Sequence, residues 1–247
     1  MKEETVSVSS KFWLCSADCL CGTLSGLITG GGMTYFYTKY LGLDEGLASI
    51  VWMIFAVWNA LNDPLFGYIS DRTKSKLGRR IPYIRYGALL YGVIFILSWF
   101  LWPLGGSQTA LFVQMLVSLF FFDTFYTAIA TSLYVLPYTM AESNQARSGI
   151  FVWKIFFTLL SLAAPLVLFP LVRPDVGESA SRFQTIMIML GVVTTLVIFF
   201  STFFYKEKYT SDAEEAPGLW ESICQCFKNR AFLVYEVISF TVIFVQT

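Results

Sequence analysis

Apolar segments near residues 12–38, 46–69, 82–104, 109–139, 149–172 and 183–205 are each long enough to cross a bilayer. Spanning the hydrocarbon core takes about 20 residues of helix. In lipid every backbone N–H and C=O must be satisfied inside the protein, so a chain built from such segments folds as a bundle of membrane helices. A seventh segment starts near Phe232 and is cut off at Thr247. The first segment is no cleavable signal peptide, because its apolar stretch is too long and lacks both a basic start and a small-residue cleavage site. Only 14% of the 247 residues are charged, roughly half the share of a soluble domain.

The basic residues give the sides. Arg72, Lys74, Lys76, Arg79, Arg80 and Arg85 follow the second span, and Lys206, Lys208, Lys228 and Arg230 follow the sixth. The loops after the first and fifth spans carry mixed charge, and the loop after the third carries none. The positive-inside rule puts the N-terminus in the cytoplasm or its topological equivalent, in an integral, multi-pass membrane protein. Residues 1–205 form a six-helix bundle and 206–230 a cytoplasmic linker, with the seventh span beginning at 231. Within the linker Trp220, Ile223, Cys224 and Phe227 lie on one face of a short interfacial helix.

Net charge is zero and there is no His, which leaves nucleic-acid binding and His-based metal or acid–base chemistry without support. Cys15, Cys19 and Cys21 read as small core residues, and Cys224 and Cys226 as candidates for S-acylation. No paired-acid or nucleophile arrangement suited to an enzyme is evident. Gly22, Gly26 and Gly30 make a small-residue stripe that lets a neighbouring helix come close, with Gly31 and Gly32 adding flexibility above it.

Polar groups inside apolar spans are costly and mark ion or substrate paths. In the second span Asn59, Asn62 and Asp63 share a face at i, i+3 and i+4. Asp63 lies about 10 Å from the cytoplasmic end, and Pro64 frees a carbonyl in the preceding turn. On the fourth span Asp123 and Thr127 are i, i+4 neighbours, and Asp123 is the acid nearest the membrane centre. It must be protonated, paired or facing a wet cavity. Tyr126 and Tyr134 either line that cavity or pack.

The run from Asn62-Asp63-Pro64-Leu65-Phe66-Gly67 through Gly78-Arg79-Arg80-Ile81-Pro82-Tyr83 resembles the melibiose-permease-like glycoside–pentoside–hexuronide:cation symporters of the major facilitator superfamily. The ends of the first and fourth spans and the segment entering the seventh are similar too. The resemblance implies the N-terminal six-helix half of a twelve-helix major facilitator fold, cut off within helix seven, with alternating access to a central site. The missing C-terminal half of the same chain is then a partner, with lipid and a small organic solute, and no cofactor is expected.

The resemblance also assigns roles. Asn59, Asn62, Asp63 and Thr127 match the cation site, but Asn59 stands where the family has a second carboxylate. That weakens Na+ and leaves H+, or no coupling, open. Lys154 matches a substrate-site arginine; it either pairs with Asp18 at similar depth, contacts the solute, or snorkels to the interface. Thr23 falls on a sugar-binding aspartate of the family, and Ile129 or Ala130 on another. Asp18 and Asp123 are the nearest substitutes, one turn away, so galactoside specificity is not carried over. Gly67, Asp71 and Arg72 with Gly78, Arg79 and Arg80 make the gating loop, latched through Asp71. The expected function is cation-coupled symport of a sugar or other small solute. An uncoupled facilitator and a non-transporting scaffold derived from a carrier half are the rivals.

Overall fold

A computed structural model describes residues 5–102, 106–175, 179–207, 228–230 and 233–234. The helices are α1 (Val8–Thr29), α2 (Gly32–Tyr35), α3 (Glu45–Arg72), α4 (Ile81–Leu97), α5 (Gln108–Met140), α6 (Asn144–Val172) and α7 (Ser181–Ser201), with a π-helical turn, Phe36–Tyr40, after α2. All lie in one compact unit, Met1–Thr210; in the second unit, Ser211–Thr247, Lys228, Arg230, Leu233 and Val234 are helical. The expected interfacial helix at Trp220–Phe227 and most of the seventh span lie outside the described residues.

Each of the six expected spans coincides with a helix. Their starts are encoded locally: Ser7, Asp44, Ser107 and Ser143 accept from the backbone N–H three residues on, capping α1, α3, α5 and α6. The first span runs from Val8 to Tyr40 with one break, where Gly31 adopts φ +91°. A left-handed residue of that kind favours glycine, since it has no Cβ to collide with the backbone.

Among the described residues five spans are long and apolar enough to cross a membrane, whereas α4 is shorter. The sequence predicts the third span to run to residue 104, but α4 stops at Leu97. Buried Gln114 of α5 explains the difference. Its amide donates to Phe100 O (2.7 Å) and Tyr37 Oη (2.9 Å), and its carbonyl accepts from Trp102 N (3.0 Å). The chain after α4 is thus held as turns by hydrogen bonds that a helix would have used internally.

Helix α1 packs on α6, α7 and α5; α4 packs on α5 and α7; and α3 packs on α5. The glycine stripe sets the α1–α6 seam. A Cβ at Gly22 would lie 2.5 Å from Ser161 Oγ and one at Gly26 2.7 Å from Pro165 Cγ. A Cβ at Gly30 would instead meet its own helix, at the Gly26 carbonyl. Phe36, Trp99 and Phe183 form an aromatic core near the Gln114 clamp. By contrast α6 leaves Val152, Phe156, Leu166 and Leu171 more than half exposed. On the water-exposed surface of a soluble domain such a stripe would be unstable, and it fits a lipid or helix neighbour.

Candidate functional site

A cavity of about 870 Å³ opens along the face bounded by α1, α3, α5 and α6. Its polar lining includes Asp18, Asp63, Asp71, Arg80, Thr127 and Lys154, and Val135, Ile155 and Leu159 form part of its apolar wall. A smaller cavity of about 340 Å³ shares Asp18, Tyr126, Ala130 and Thr158 with it and continues along α1 toward Thr29.

Besides the Asp71–Arg80 pair at its mouth, two charged features face the larger cavity. Lys154 Nζ lies 3.2 Å from Asp18 Oδ2, and both side chains are partly buried. Each acid or base sits ten residues inside its own helix, about 15 Å along it. Of the three expected roles for Lys154, pairing with Asp18 is the contact made; its ammonium also lies 5.7 Å from the Tyr134 ring centre. The second feature joins α3 to α5: Thr127 Oγ1 donates to Asp63 Oδ1 at 3.1 Å. Thr131, one turn on, donates to the Thr127 carbonyl at 2.6 Å.

The remaining expected residues separate. Asn62 turns away from the cavity and is fully buried against α5, where its Nδ2 donates to Asp123 Oδ2 (2.9 Å) and Asp123 O (3.2 Å). Asn59 is exposed and outside both cavity linings. Thr23 is buried and donates to the carbonyl of Cys19, one turn back, rather than facing solute. Tyr126 lines both cavities and stacks on Phe122. Of the small residues, Gly67 lines the larger cavity with open space where a Cβ would be.

The loop after α3 is built around an acid that sequence reasoning missed. Glu207 accepts from the backbone N–H of Arg79 (3.0 Å), Arg80 (2.7 Å) and Ile81 (3.1 Å), capping α4 across more than 120 residues of chain. Gly78 permits this by its φ of +104° and by leaving room, since a Cβ there would sit 2.6 Å from Glu207 Oε1. The Arg80 side chain pairs with Asp71 at 2.7 Å, at the mouth of the cavity. Arg72 lies over the Tyr68 ring, and Arg85 ties α4 to Thr202 beyond α7. A signal for Glu207 exists in the sequence. Arg80-Ile81-Pro82 starts a helix with no Ser, Thr, Asp or Asn to cap it, which calls for a distant acceptor.

Residues 22–246 match the family model described as MFS/sugar transport protein. The chain belongs to that family. It is 26% identical over 188 residues to the putative glycoside/cation symporter YagG of Escherichia coli, covering 75% of this chain and 40% of YagG. To the inner membrane symporter YicJ of the same organism it is 24% identical over 233 residues, covering 90% and 49%. The uncharacterized symporter YnaJ of Bacillus subtilis is 25% identical over 243 residues, covering 97% and 52%. The chain therefore spans about half the length of the curated relatives it matches.

Proposed function

We propose that the whole protein is a secondary carrier for a small polar organic solute, driven by a cation, in which this six-helix unit supplies one wall of the path. The observation that carries this reading is the shared cavity, with the Asp63–Thr127 pair and the Lys154–Asp18 pair facing the same space. One pair offers a titratable carboxylate; the other offers a donor and an acceptor for hydroxyls. YagG's name as a glycoside/cation symporter supports a glycoside-like solute.

A proton is favoured over sodium as the coupling ion. Hard cations are held by several oxygens at once. Asn59 and Asn62 both lie outside the cavity lining, so few oxygens of the expected set face the cavity beside Asp63. A proton needs only the carboxylate. With the basic loop after α3 facing the cytoplasm, the N-terminus is cytoplasmic and Asp71–Arg80 closes the inner end of the path.

The test is solute uptake by the full-length protein in proteoliposomes under an imposed pH or sodium gradient. Asp63→Asn is expected to abolish uphill accumulation while membrane insertion is kept. Unchanged uphill uptake in that variant sinks the coupling role. Wild-type uptake that equilibrates without accumulating, under either gradient, would favour the uncoupled facilitator.

A further inference from the structure

One polar contact, between Asn62 and Asp123, lies outside both cavities. Neither Asn62 nor Asp123 lines either cavity; they meet in the buried seam between α3 and α5. Asn62 is 0% exposed and Asp123 6%. Asn62 Nδ2 is satisfied twice, but Asn62 Oδ1 has no hydrogen-bond partner among the described residues.

The orientation of that amide is fixed by chemistry. Nδ2 faces the Asp123 main-chain carbonyl, a group that can only accept. Exchanging N and O would set two carbonyl oxygens against each other. The orphan is therefore an acceptor, and an unsatisfied acceptor in a buried seam is costly. The group beside it is the carboxyl of Asp123, already joined at one oxygen. An ionised carboxylate has no donor, whereas the un-ionised acid adds one O–H. Its terminal torsion is soft, so that O–H can turn to the amide oxygen and close an acid–amide ring with two hydrogen bonds.

We propose that Asn62 and Asp123 form a buried proton-binding pair, in which the Asp123 carboxyl keeps its proton and donates it to Asn62 Oδ1. Position agrees: Asp123 is fifteen residues into α5 (Gln108–Met140), about 22 Å along a helix of about 50 Å, where lone charge is least tolerated. Among the described residues the ionisable neighbours add no compensating cation. Asp63, next to Asn62 on α3, opposes a second negative charge, as Tyr126 on α5 would if ionised. Tyr91 of α4 packs on Phe122 and Tyr126, and Asp18 of α1 is engaged by Lys154.

Release of the proton breaks the O–H bond and leaves its electron pair on Asp123, with the proton passing to Asp63 or to water in the cavity. A carboxylate oxygen then confronts the Asn62 carbonyl, so proton occupancy is tied to closure of the α3–α5 seam. Proton binding by this pair stands independently of the coupling role proposed for Asp63; its use in transport rests on that role.

Infrared difference spectra of the complete protein in lipid at neutral pH test the pair. Asp123→Asn replaces the O–H by an N–H and preserves the ring, which favours folding. The wild type is expected to show a deuterium-sensitive carbonyl stretch of an un-ionised, hydrogen-bonded carboxyl. That band is lost in Asp123→Asn, moves to higher frequency in Asn62→Leu, and persists in Asp63→Asn. Should Asp123→Asn fail to fold, the shift in Asn62→Leu carries the assignment. Carboxylate stretches in place of the carboxyl band, a band indifferent to Asn62→Leu, or a band that vanishes in Asp63→Asn would each overturn the proposal. The last outcome would move the proton to Asp63, and none of them depends on transport.

Discussion

Replacing Glu207 with alanine removes both oxygens that hold the start of α4. Loss of a helix cap costs about 1 kcal/mol, and loss of a negative charge at a helix N-terminus adds about 0.5–1 kcal/mol. With three N–H groups released at a half-buried site, the expected cost is about 2 kcal/mol, roughly 30-fold in an opening equilibrium. Gly78→Ala reaches the same cap by another route. Its φ of +104° strains any side chain by about 1 kcal/mol, and its Cβ would push the carboxylate aside from 2.6 Å, forfeiting the same ~2 kcal/mol. The two variants must therefore not add: the double variant should cost about 3 kcal/mol rather than 5, a coupling of about 2 kcal/mol. Amide hydrogen exchange at Arg79, Arg80 and Ile81, with equilibrium unfolding of the full-length protein in mixed micelles, measures both terms. Additivity within about 0.5 kcal/mol would refute the reasoning.

Lys154→Ala is expected to raise the KM or abolish uptake; wild-type kinetics would reduce the Asp18 contact to a structural tie. Gly26→Val drives a branched side chain into Pro165, 2.7 Å from the first added carbon, and should cost about 1–3 kcal/mol in unfolding assays. Gly67→Ala, with nothing near its Cβ, should instead be neutral or stabilising by up to about 1 kcal/mol. Gln114→Ala removes two bonds to the chain after α4 and one to Tyr37 and should destabilise by about 2–3 kcal/mol, seen as faster exchange of the Trp102 amide.

The six spans were legible because length and hydropathy are enough to define a membrane helix, and a close helix neighbour for α1 was legible in its glycine spacing, though not that the neighbour is α6. The polar face of α3 was read too coarsely. Asn62 and Asp63 are neighbours in sequence, but a helix turns about 100° per residue, so one enters the α5 seam while the other faces the cavity. Asn59, grouped with them by the i, i+3, i+4 rule, lies outside the lining altogether. Thr23 was placed by alignment alone, which carries no information about which side of α1 faces solute. The early end of α4 depends on Gln114 of the next helix, which the sequence of α4 does not record. The uncapped start at Arg80-Ile81-Pro82 calls for a distant acceptor, but nothing local names Glu207. The Asp18–Lys154 pair was accessible because equal depth on two helices can be counted from their ends.

The cap on α4 also fixes an order of events during synthesis. Glu207 follows Arg80 by 127 residues and Thr202 follows Arg85 by 117. At about 5–20 residues per second, a ribosome delivers the acid roughly 6–25 s after the helix it closes. Throughout that interval the leading amides of the third span lack this acceptor, while Gln114 is already available to hold its far end. The exit of the sixth span thus seals the entry of the third.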